Sequence, residues 1–94
     1  MANEIAEVVK QYVMHLGDLN PPINVKARIS KITRQDGPEL YECEFSHHYR
    51  PSESAASLHI PTITTCKSFE EAEAEMKHYM LGFTAIDVTP TKGY

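Results

Sequence analysis

The first apolar pattern runs over residues 3–16. Ile5, Val8, Val9, Tyr12, Val13 and Leu16 recur at the three- and four-residue steps that line one side of a helix. Asn3 is placed to cap this helix, and Gly17 to end it in a left-handed conformation. Asn20-Pro21-Pro22 then makes a rigid turn. Over residues 23–33 the period drops to two, and Ile23, Val25, Ala27 and Ile29 alternate with Asn24, Lys26, Arg28 and Ser30, which predicts a strand. Gln35-Asp36-Gly37 is a tight turn with Gly37 at positive φ. A second strand follows at 39–49, with Tyr41, Cys43, Phe45, His47 and Tyr49 on one face. Pairing Ile29 with Cys43 and Ala27 with Phe45 sets apolar against apolar. The same register sets Arg28 opposite Glu44, Ser30 opposite Glu42 and Ile32 beside Leu40 on the outer face.

Residues 50–55 form a polar loop. A shorter third strand is predicted at 57–63, with Leu58 and Ile60 inward and Pro61 marking an edge. Ser68-Phe69-Glu70-Glu71 fits a capping box and opens a second helix, whose buried stripe is Phe69, Ala72, Met76, Tyr79 and Met80 and whose stop is Gly82. A last short strand is expected at 84–88. The order is α-β-β-β-α with a final β. The expected fold class is α+β: an antiparallel three-stranded meander packed on one face by two helices. Residues 1–90 are expected to form one domain and 91–94 a C-terminal tail.

Composition narrows this picture. A chain of 94 residues that is 41% hydrophobic can build a core, and one so short gains from self-association. No apolar run reaches transmembrane length, and the first residues lack a basic-then-apolar leader, so the expectation is a cytoplasmic chain with no membrane partner. Cys43 and Cys66 form no metal-type spacing and are expected as buried thiols rather than a disulfide. The net charge of −4 disfavours direct binding to nucleic acid. That charge is uneven: Lys26, Arg28, Lys31 and Arg34 make the first strand basic, while Glu70, Glu71, Glu73 and Glu75 make the last helix acidic.

Gly37-Pro38 sits in the first hairpin turn, and Ser68 opens the last helix. With the α-β-β-β-α order, these features resemble the double-stranded-RNA-binding domain, which has a Gly-Pro in that turn and a Ser followed by two lysines at that helix. The resemblance implies that topology alone. Here the helix opens Phe69-Glu70-Glu71-Ala72-Glu73, and Leu40 stands where the family's turn carries a His. Acidic residues at the phosphate-binding positions would repel a nucleic-acid backbone.

The most suggestive string for chemistry is His47-His48-Tyr49-Arg50. Neighbours in a strand point to opposite faces, so the two histidines do not chelate one metal side by side. His47 shares the apolar face and reads as a core or rim histidine. His48 is expected opposite His59 on the outer face, with Lys26, Ser46 and Arg50 nearby. That patch reads as solvated polar residues, as a site for an anionic small molecule such as a nucleotide, or as a two-histidine metal site lacking a third ligand. No phosphate loop, GxSxG or HExxH is present, and Cys43 lies about 13 Å from His47 along one strand face. No catalytic residue, metal ligand or cofactor is therefore assigned. The expected function is a small non-catalytic interaction module, oligomeric or bound to a protein partner, with Ile32, Leu40 and the four helix glutamates as contact residues. The alternatives are a phosphate-type ligand binder and an acidic regulator of a nucleic-acid-processing enzyme.

Overall fold

The computed structural model describes residues 3–61, 63–92 and 94. Its elements are β1 (Glu4–Leu16), β2 (Ile23–Arg34), β3 (Leu40–Phe45), β4 (His47–His48), β5 (Thr65–Cys66), α1 (Phe69–Leu81) and β6 (Thr89–Pro90). The main sheet is antiparallel, in the order β1-β2-β3-β5, and β4 pairs with β6 in a second small sheet. The chain is thus α+β, with α1 the one helix among the described residues.

The expected helix over 3–16 is a strand instead. Five of its six apolar stripe residues, Ile5, Val8, Val9, Tyr12 and Val13, are β-branched or aromatic and suit a pleated surface. A β-bulge explains their helix-like spacing. Ile5 pairs with Thr33 and Val8 with Ser30, but beyond the bulge Lys10 pairs with Ile29 rather than Arg28. The extra residue inverts the alternation of faces. Ile5, Glu7, Lys10, Tyr12, Met14 and Leu16 therefore share the inner face of β2, while Glu4, Ala6, Val8, Gln11, Val13 and His15 share the outer one. The apolar positions belong to two sheet faces and only imitate one helical stripe. Gly17 lies in the β1–β2 turn without a positive φ, and the Asn20–Pro21 peptide there is cis. With a strand in place of the first helix, the element order departs from the double-stranded-RNA-binding domain.

The β2–β3 hairpin matches its expected register at every pair from Ala27 with Phe45 to Ile32 with Leu40. Gly37 takes φ 127° in its turn, a conformation that disfavours L side chains. Arg28 makes a forked contact to Glu44, its Nε and Nη2 donating at 3.1 and 3.2 Å. Lys31 pairs with Glu39 at 3.0 Å and Arg34 with Glu4 at 3.3 Å.

Two further expectations are corrected. The described residues of 57–63 form no strand, and Thr62 lies outside the described residues. His59 bridges to Tyr49, Ile60 is exposed, and the ladder beside β3 is made by β5. Pro61, which lacks an amide proton, interrupts any longer pairing there. The last strand falls at 89–90 rather than 84–88, where Asp87 turns the chain at φ 47°.

Helix α1 begins as expected, with Ser68 Oγ accepting from the Glu71 amide at 3.2 Å, and Gly82 closes it. Its buried residues Ala72, Met76, Tyr79 and Met80 meet Val25, Ala27, Ile29, Cys43 and Phe45 of the sheet. Ile29, Met76 and Val25 are the largest fully buried side chains, each stabilising the fold by about 1.5–3 kcal/mol. Both cysteines are buried and unpaired. Beyond β6, the Thr91 amide donates to the Ser46 carbonyl at 2.9 Å, and the Tyr94 ring lies 4.3 Å from the Arg28 guanidinium carbon, against the outer face. Among the described residues no helix is long and apolar enough to cross a membrane.

Candidate functional site

Of the five side chains expected to form an anion patch, only those of His48 and His59 meet on one group, the Tyr79 ring of an aromatic cluster. The Tyr49–His59 bridge is closed by the His59 amide donating to the Tyr49 carbonyl at 2.7 Å. It lays the His59 ring on Tyr79, with centroids 5.3 Å apart and planes 26° apart. Tyr79 Oη donates to the His59 carbonyl at 2.6 Å and fixes that stack. His48 meets the same Tyr79 ring edge-on at 6.2 Å. Phe45, Tyr49 and Phe83 complete the cluster. Burial, and secondarily the neighbouring His59, hold His48 below the usual histidine range, so its neutral form is favoured. Burial also lowers His47 and raises Tyr79 and Tyr49.

The other three residues serve the fold. Ser46 Oγ accepts from the Lys26 amide at 2.7 Å and lies 2.7 Å from His47 Nδ1. Lys26 is exposed, and no hydrogen bond, ion pair or ring contact joins it to His48 or His59 among the described residues. Arg50 pairs through Nε with Asp87 at 2.9 Å and donates from Nη1 to the Ala55 carbonyl at 3.2 Å, which fastens two loops together. Open cavities of about 200 Å³ lie on either side of Pro61, one reaching His48 and the other reaching His59, Glu75 and His78. No group of three His, Cys, Asp or Glu residues is arranged to hold a metal among the described residues. Burial pushes the Cys43 thiol up to about 12, and its Sγ donates to the Ala72 carbonyl at 3.2 Å, so it stays protonated at neutral pH.

The expected protein-contact residues divide as well. Ile32 is only 8% exposed, because Ala6 of β1 and Leu40 of β3 flank it on the outer face. Glu70 and Glu71 are exposed in the first turn of α1. Glu73 instead turns toward β1, where it accepts from Tyr12 Oη and pairs with Lys10 at 3.1 Å. Tyr12, first, and Lys10 hold its carboxyl below the ordinary carboxylate range. Glu75 is half-buried beside the second cavity. The four glutamates therefore do not present one acidic face.

The surface that the sequence pattern did not isolate is the free edge of β1. Among the described residues this 13-residue strand has one neighbour, β2. Ile5, Val8, Val9 and Val13 are 68%, 53%, 40% and 62% exposed. A long edge with unpaired backbone groups and bare aliphatic side chains is a template for another strand. The signal that could have found it is the run of β-branched residues spread over both faces. No protein-family model, curated protein or solved structure matches the chain.

Proposed function

We propose that the chain is a small non-catalytic interaction module that works by strand addition at the free edge of β1. The observation that carries this reading is the exposure of Ile5, Val8, Val9 and Val13 on a strand hydrogen-bonded along one side only. Main-chain hydrogen bonds would supply the affinity and the aliphatic side chains the contact area. Replacing Val8 and Val9 together by lysine puts charge at the middle of the edge and empties no core. In that variant, assembly and the protection of the outward β1 amides from hydrogen exchange are lost, while the urea midpoint of the fold moves little. Assembly that survives the substitution, or protection that maps to residues 59–63 instead, rules the reading out.

A second reading, capture of an anionic small molecule, draws support from His48 and His59 beside two cavities. It weighs less because Arg50 is held by Asp87 and the Ala55 carbonyl, and burial favours neutral His48. The acidic-regulator reading loses its main feature with Glu73 committed to Lys10 and Tyr12.

A further inference from the structure

The charges along β1 identify the strand that adds to it. Glu4 and Glu7 lie before the bulge, while Lys10 and His15 lie after it. An antiparallel copy of the same strand would therefore bring the acidic half of each copy alongside the basic half of the other. From this we infer that the occupant of the edge is a second copy of this chain, paired antiparallel so that Val8 of each copy stands opposite Val9 of the other. The inference rests on the strand-addition reading above and names its partner.

The bulge makes this register self-consistent. It sets Glu7 opposite Lys10 of the second copy, and both lie on the inner face. Ile5 then meets Tyr12 on that same face, while Ala6 meets Gln11 and Glu4 meets Val13 on the outer one. A shift by one residue would set inner-face residues against outer-face ones, exposing what the pairing should cover. A shift by two sets Glu7 against Val8 or Tyr12 and Lys10 against Ile5 or Val9, and loses both ion pairs. Lys10 is 51% exposed and already reaches Glu73, but an ammonium has three protons to donate, so Glu7 of the second copy can be a further acceptor. The two sheets become continuous, with both helices on one side. A bulge and a lysine on an edge ordinarily discourage pairing. In this strand they instead place the one basic residue of its middle opposite an acid.

Sedimentation equilibrium on the full chain and its variants tests the register. Wild type is expected to dimerise in a concentration-dependent way. Glu7→Lys alone sets lysine against lysine twice, and Lys10→Glu alone sets glutamate against glutamate twice. Each should weaken self-association about tenfold. Mixed one to one, these two variants restore both attractions and form a heterodimer, which neither could do if it had merely unfolded. Val13→Lys, facing Glu4 of the second copy from an exposed position, tightens the dimer a few-fold. If both charge reversals dimerise like wild type, or the mixture fails while Val13→Lys weakens association, the register is wrong. A wild-type chain that stays monomeric overturns self-pairing and leaves the edge to a foreign strand. A dimer that persists when Val8 and Val9 are both lysine overturns self-pairing and strand addition together.

Discussion

The two halves of β1 belong to the same strand and have opposite fates. In its second half Tyr12, Met14 and Leu16 pack against the core, and Glu73 of α1 ties down Tyr12 and Lys10. In its first half Ile5 and Val8 lie bare on opposite faces of the sheet. Hydrogen bonding to β2 continues through both, from Glu4 with Arg34 to Leu16 with Ile23. The ladder alone therefore does not decide what is covered. A helix of about 1.5 Å rise per residue is much shorter than a strand of equal residue count at about 3.3 Å, and α1 and β1 have 13 residues each. One helix cannot roof the whole strand, which leaves its first half bare.

The widest gap between the halves should appear in stability. Ile29→Ala, under the helix, empties a fully buried site and should cost about 3 kcal/mol. Ile5→Ala, at 68% exposure, should stay within about 0.5 kcal/mol at a protein concentration too low for self-association. Urea midpoints of the two variants measure the difference directly. Comparable losses would mean that the first half of β1 is covered after all.

Legibility followed the same division. Where one face is buried, period-two alternation fixes the register, and Ala27–Phe45 and Ile29–Cys43 pair as the pattern requires. Ser68 was readable because capping depends on residues a few positions apart. β1 was not readable as a strand, because its bulge inverts the alternation midway and its first half has no buried face to enforce a period. The expected pairing of His48 with His59 is off by one residue of register. The bridge joins His59 to Tyr49 rather than to His48, and His48 meets Tyr79 edge-on. Sequence spacing does not resolve a slip of that size around a proline-containing loop.

Glu73 marks the boundary between covered and bare, and pH should reveal its contribution. The Tyr12 hydroxyl, foremost, and Lys10 hold its carboxyl below the ordinary 4.5. A depressed carboxyl pKa stabilises the fold above pH 4.5, and that stability is lost as pH falls through the lower folded value. Thermal melts at pH 7 and pH 3 should therefore show a larger drop for wild type than for Glu73→Gln. In the variant, amides of residues 10–14 should exchange faster at pH 7, so that the bare half spreads along the strand. Equal pH slopes in the two proteins would mean that the tie does not hold the boundary.

The smallest effect concerns His48, which lies with the covered part of the molecule. Burial is the main reason that its pKa falls below the ordinary 6.5, and His59 adds to it. The unfolded chain then binds a proton more readily than the folded one between the two values. Stability is full above pH 6.5 and is lost as pH falls toward the folded pKa. Proton resonances of the His48 ring should place its midpoint below 6.5. His59→Gln should raise the midpoint only part of the way, because burial is the larger cause and remains. Inorganic phosphate added during the titration should leave the midpoint in place if the site binds no anion. A midpoint that phosphate drives upward would transfer the functional weight from the β1 edge to the cavities beside Pro61, since an anion would then be holding His48 in its charged form.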